Sequence, residues 1–92
     1  MKMDIRLVLA FKTLGDINRY RIFRSLIGIG KKDMLVSKIA QTLGISIPLA
    51  SQHLKILMLN GLLNKQKHGR RVYYFLNHRS PNVISILKVF KK

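Results

Sequence analysis

Gly44-Ile45-Ser46-Ile47-Pro48 is the stretch that leaves this chain the least freedom. Gly44 can close the last turn of a helix arriving from Leu35, because glycine readily takes the left-handed backbone found there. Ser46 then stands where a new helix needs an N-cap, its hydroxyl placed to accept from the amide of Leu49. Pro48 falls in the first turn, where its missing N–H costs little. Two helices therefore meet across a short turn, and Ala40, four residues before Gly44, allows a close crossing: a helix-turn-helix arrangement. In the second helix Ala50, Leu54 and Leu57, with Leu49 beside them, recur at spacings of three and four as a stripe to bury, leaving Pro48, Ser51, Gln52 and Lys55 on other faces. Short polar side chains near a helix start suit groove reading. Taken alone, the pattern equally describes an ordinary capped amphipathic helix, so the rest of the chain has to decide.

Charge narrows the partners. Eighteen Lys and Arg against three Asp and Glu give +15, a balance that repels itself unless a polyanion or an anionic surface is the usual companion. Nucleic acid comes first and an anionic membrane surface second. No run of eighteen apolar residues occurs, and Met1–Leu9 lacks the features of a signal peptide, so a cytoplasmic protein is expected. With no cysteine, disulfides, thiolate metal sites and cysteine nucleophiles are excluded. The acids are Asp4, Asp16 and Asp33, widely spaced and with no glutamate to assist, so carboxylate acid–base chemistry or a Mg²⁺ site is not expected. No enzyme activity and no cofactor is predicted. A 92-residue chain buries only about 60 per cent of the surface its unfolded form exposes, yet 48% of its residues are hydrophobic. A core shared between two copies would resolve that excess.

Read in order, Asp4–Leu14 predicts a helix with Ile5, Val8 and Leu9 on one stripe and Leu7, Phe11 and Leu14 on another, apolar enough to touch two partners. Gly15 stops it. Asp16 caps a helix running from Ile17 to about Ile29, in which Ile22, Phe23, Leu26 and Ile27 are apolar and Asn18, Arg19, Arg21 and Arg24 lie elsewhere. Arg19 or Arg21 is a candidate phosphate contact, although charges on a helix are commonly just its solvated face. Gly28, Gly30, Lys31 and Lys32 form a basic loop, with Met34–Val36 as a candidate short edge strand. A helix over Leu35–Leu43 follows, with Ile39, Ala40 and Leu43 inward. After Asn60-Gly61, the run from Leu62 to Leu76 reads as a two-stranded hairpin with His68-Gly69-Arg70 at its tip. Val72, Tyr74 and Leu76 would alternate onto the core face, while Lys65, Lys67, Arg70 and Arg71 cluster near the turn, suited to gripping a backbone or a narrow minor groove. Asn77 or Ser80 can cap a last helix from about Pro81, apolar almost all round at Val83, Ile84, Ile86, Leu87, Val89 and Phe90, with Lys88, Lys91 and Lys92 at its end.

Three strings in this order resemble the ArsR/SmtB family of winged helix-turn-helix repressors over about Phe11–Leu76: Leu14–Phe23; Ile39–Ser46 with Ala50–Leu57; and Gly61-Leu62-Leu63 with Gly69–Leu76. The resemblance implies a mainly α fold, a single winged helix-turn-helix domain over residues 1–92 with about five helices and a two-stranded wing. It also implies a homodimer through the first and last helices, for which Ile5, Val8, Leu9, Val83, Ile84, Leu87 and Phe90 are the candidate contacts. The helix capped by Ser46 would enter the major groove of double-stranded DNA and the wing would lie beside it. Contacts would come from Ser46, Ile47, Pro48, Ser51, Gln52, His53 and Lys55 on the helix, from Lys67, Arg70 and Arg71 on the wing, and from Arg19. Two-fold symmetry would then demand a palindromic operator with half-sites about 34 Å apart, or a multiple of it.

The chain departs from the family pattern twice. The family's two-cysteine metal motif would fall on Leu35 and Ser37, and its acids and histidines along the last helix have no counterpart between Pro81 and Lys92. With His53, His68 and His78 on different elements, no metal is expected. Ile47, Pro48 and Leu49 also stand where relatives commonly carry polar side chains, so phosphates and shape should supply much of the affinity. Met58 and Leu59, where relatives usually show charge, have no explanation in the sequence. The expectation is a homodimeric, sequence-specific regulator of transcription, read as a repressor. A non-specific architectural DNA- or RNA-binding protein and a protein-assembly module share the same features.

Overall fold

The computed structural model describes residues 5–28 and 35–90. Five helices and one hairpin follow in the order α1 (Ile5–Thr13), α2 (Ile17–Ser25), α3 (Val36–Leu43), α4 (Ile47–Leu59), β1 (Leu63–His68), β2 (Arg71–Leu76) and α5 (Pro81–Phe90). Each boundary has a local cause. Asp16 takes an extended backbone (φ −80°, ψ 131°) and its carboxylate accepts from the amides of Asn18 and Arg19, which starts α2. That helix ends sooner than the sequence predicts. Ser25 Oγ donates back to the Ile22 carbonyl at 2.8 Å, the Leu26 amide is shared between the Ile22 and Phe23 carbonyls, and the Ile27 amide turns to the Arg24 carbonyl three residues back, tightening the chain out of the helix. Ile29 and the basic loop with Gly30, Lys31 and Lys32 lie outside the described residues, as do Asp4, Met34, Lys91 and Lys92.

The turn between α3 and α4 forms as its residues dictate. Gly44 sits at φ 70°, ψ 33°, the left-handed backbone that a Cβ disfavours, and the Ile45 amide reaches back to the Ala40 carbonyl at 3.1 Å, satisfying an orphan carbonyl of α3. Ser46 caps α4, its Oγ accepting from the Leu49 amide at 3.2 Å, with Pro48 in the first turn. The far end of α4 closes similarly, with the Leu62 amide donating to the Leu57 carbonyl at 3.0 Å. Ser80 caps α5, its hydroxyl accepting from the Val83 amide, whereas Asn77 donates its side-chain amide to the Gly61 carbonyl and ties the hairpin's base to the end of α4.

The hairpin pairs antiparallel, from Leu63 opposite Leu76 out to His68 opposite Arg71. Gly69 at φ 61° and Arg70 outside the left-handed region make the two-residue turn, matching the twist of the strands with glycine first. Only its base is inside. Leu63 and Leu76 are buried and Tyr74 packs on the core's edge, but Val72 is no deeper than Tyr73 or Phe75, so the expected alternation fades as the wing leaves the body. A bridge from Leu35 to Tyr73 realises the short edge strand at that one residue. The core joins Ile22 and Phe23 of α2, Ile39 and Leu43 of α3, Leu54 and Leu57 of α4, the hairpin base, and Val83 and Ile86 of α5. Helix α1 contributes differently from its sequence stripes: Ala10 and Thr13 are buried, whereas Ile5, Val8, Leu9 and Phe11 are exposed by 41–63%. The small Ala10 lets α1 lie close, and the large side chains point elsewhere.

Candidate nucleic-acid interface

Helix α4 is two-faced. Ala50, His53, Leu54 and Leu57 form its buried stripe, the same 3.6-residue period puts Pro48, Ser51, Gln52 and Lys55 outward, and Ser46 and Ile47 at the open start of the helix are exposed as well. Ile47 is half exposed, at 50%. Beyond the end of α4 the hairpin carries Lys65, Lys67, Arg70 and Arg71, every one exposed. Near the opposite end of α4 from Ser46, an open cleft of about 460 Å³ is lined by Arg6, Leu9, Leu59, Asn60 and Asn77 among others, away from these hairpin cations. Lys38 on α3 is a further exposed cation, one turn before Thr42; its outward position follows from the inward run Ile39, Ala40 and Leu43.

Two residues expected at this surface turn inward instead. His53 is only 8% exposed, beneath the outer face of α4. Arg19 is half-buried: its Nε donates to the Thr13 carbonyl at 2.8 Å and its Nη1 lies 3.4 Å from His53 Nδ1. Asp16 Oδ1 lies 4.0 Å from the same imidazole nitrogen. The guanidinium is thus the nearer of the two groups to that nitrogen. The Arg19 amide donating to its carboxylate, aided by the Arg19 charge and the Asn18 amide, holds the Asp16 carboxyl below its ordinary range despite some desolvation. Thr13 in turn donates its hydroxyl to the Leu9 carbonyl at 2.7 Å. A polar chain thus runs from α1 through the α2 cap to the inner face of α4. The spacing Asp16-x-x-Arg19 and the position of His53 within the buried stripe were its only traces in the sequence.

The residues expected at a shared surface also divide. Ile5, Val8, Leu9 and Ile84 are exposed by 41–63%. Val83 is fully buried in the protomer's own core, so it has no surface to offer a second copy. Leu87 and Phe90 are half-buried, the Phe90 ring lying 6.3 Å from Tyr20 and under the Arg24 guanidinium at 5.5 Å. Val89, at 64%, and Phe11, at 54%, extend the exposed apolar surface instead. Among the described residues no group of three or more His, Cys, Asp or Glu comes together as a metal site. No helix of the described residues is long and apolar enough to cross a membrane.

Residues 16–65, which hold α2, α3, α4 and the start of β1, match the family described as bacterial regulatory protein, arsR family. The chain belongs to the ArsR family. It is similar to the cadmium resistance transcriptional regulatory protein CadC of Listeria innocua, 34% identical over 83 residues, which cover 89% of this chain and 68% of that one. The arsenic resistance transcriptional regulator ArsR2 of Pseudomonas putida is 35% identical over 72 residues, 78% of this chain and 61% of its own length. Among solved structures, HlyU from Vibrio cholerae superposes with a TM-score of 0.79 at 26% identity over 94% of this chain and 88% of that one. The homodimeric winged helix-turn-helix DNA-binding domain of Mb0332 from Mycobacterium bovis gives 0.75 at 23% identity, covering 94% and 75%, a likeness of fold alone. This ArsR-family protein is therefore a transcriptional regulator and not an enzyme, with α3 and α4 as its helix-turn-helix and β1–β2 as its wing.

Proposed function

We propose that residues 1–92 act as one DNA-binding domain in a homodimeric repressor, which sets α4 into the major groove of a palindromic duplex and lays the wing along the adjoining backbone or minor groove. The observation that carries this reading is the bare outer face of α4 beside a hairpin whose four cations are all exposed. A helix buried on one stripe and empty on the other, at the head of a basic wing, has the geometry by which winged helix-turn-helix proteins enter a groove. Ser46, Ser51, Gln52 and Lys55 supply its hydrogen-bonding groups, and Lys67, Arg70 and Arg71 the contacts to phosphate. Arg19 and His53 act from behind, holding α4 against α2. For the dimer, Ile5, Val8, Leu9 and Phe11 of α1 and Ile84 and Val89 of α5 leave apolar side chains in water, a surface that association of two copies would cover. Thiolate-bound metal is not the signal of this regulator, because the chain has no cysteine.

Selection of bound sites from a random duplex pool tests the proposal. An enriched palindrome with half-sites about one helical turn apart, or a multiple, is expected. Absence of enrichment, together with equal competition by random-sequence duplex at physiological salt, would overturn it in favour of architectural binding.

A further inference from the structure

The first two turns of α4 present an unusual set of side chains to any groove they enter. Ile47, Pro48, Ser51 and Gln52 are exposed there, and the one cation of the helix, Lys55, lies further along. Guanine is commonly read in the major groove by Arg or Lys paired with O6 and N7, and cytosine N4 by an acid. Neither type occurs in these turns, and α4 has no acid at all. What the turns do carry matches the A·T pair. A glutamine can pair with adenine N6 and N7, and apolar carbon packs on the C5-methyl of thymine. Pro48 and Gln52 are four residues apart on one stripe, separated by about 6 Å along the axis, a distance of roughly two base-pair steps. Ile47 and Ser51 form the neighbouring stripe with the same separation.

Half of the Ile47 side chain stands in water at the start of α4, although Ala50 and Leu54, three and seven residues further along, are buried. On the reading of α4 as a groove helix, we infer that Ile47 and Pro48 recognise thymine methyl groups and that Gln52 recognises an adenine, so that the centre of each half-site is specified as A·T by the head of this helix. Ser51 contributes hydrogen bonds without choosing a base, since a hydroxyl both donates and accepts.

The test starts from the site enriched by the 92-residue chain and replaces its thymines one at a time with deoxyuridine, which removes only the methyl group. At one or two positions per half-site, affinity should fall about fourfold, the value of one buried methyl. The Ile47→Ser variant should bind more weakly and lose that sensitivity at one of these positions, while thymines elsewhere behave as before. Gln52→Ala should level the preference at a single A·T pair, a discrimination of roughly 5- to 150-fold in the native protein. Gln52→Arg should move that preference toward guanine. Ile47 and Gln52 are both exposed, and an unchanged melting temperature confirms that these variants fold. An enriched site with G·C pairs at these positions, or a full set of deoxyuridine substitutions without effect, would overturn the inference and leave groove binding intact. Failure to enrich any site would instead overturn the DNA-regulator reading on which it rests, and this inference with it.

Discussion

Replacing Arg70 and Arg71 together by alanine removes two of the four hairpin cations of each protomer, and so four positive charges from a symmetric dimer. Both arginines are exposed at or beside the Gly69-Arg70 turn, and β1 and β2 are held by main-chain pairing that alanine preserves. The change should therefore act on binding and leave folding within about 0.5 kcal/mol. Each phosphate neutralised on B-DNA contributes about −0.9 to the slope of log affinity against log salt, so the variant's slope should be shallower by about 3.6 if all four arginines meet phosphates. Between 50 and 200 mM salt that difference amounts to roughly a 10²-fold narrowing of the gap between native and variant affinities. Fluorescence anisotropy of a labelled duplex across that range measures it directly. Random-sequence duplex should lose the same factor, because phosphate contacts carry no sequence. An unchanged slope would refute the assignment of the wing to the backbone, and a change half as large would leave one arginine per wing in contact.

Three further outcomes follow from the same geometry. Gly44→Ala places a Cβ in a left-handed turn where it meets no atom within 4 Å, so the cost is conformational. A loss of about 1–2 kcal/mol is expected, readable as a lower urea midpoint with an unchanged m-value, and Gly44→Asn should lose less. Asp16 has its carboxyl held below the ordinary 3.8 when folded, so its share of stability is complete above that value and disappears as pH falls through the lowered folded one. Urea titrations from pH 5 to pH 2 should show that loss, and Asp16→Asn should flatten it. Leu9→Lys combined with Ile84→Lys should convert a sedimenting dimer into a monomer at micromolar concentration, since both side chains are 44% exposed and carry little of the protomer's own core. A double variant that still sediments as a dimer would move the interface away from α1 and α5.

What was legible in the sequence was local chemistry. Asp16, Gly44, Ser46 and Ser80 set helix ends through bonds to residues within five positions, and each does so in the structure. The outward and inward faces of α4 follow from the same period, with His53 on the inner one. His53 falls between Ala50 and Leu57 on the inner stripe, so its place is predictable from spacing, whereas the family resemblance implies a contact with DNA. Val83 failed for a different reason: α5 is apolar almost all round, and only the approach of the core decides that Val83 and Ile86 face inward while Ile84 and Val89 do not. For Arg19 the partners were invisible, because the Thr13 carbonyl becomes an acceptor only where α1 ends, and His53 lies 34 residues away. Arg19 and His53 are turned inward by one physical cause, since a polar group buried without a partner would cost about 1–3 kcal/mol, and each has found one in a tertiary neighbour. Among the described residues no buried side-chain polar atom is left unsatisfied. The consequence is mechanical as well as energetic. Thr13, Arg19 and His53 join the helix proposed to meet a second copy to the back of the helix proposed to meet DNA, so a displacement of α1 strains hydrogen bonds that hold α4 in place.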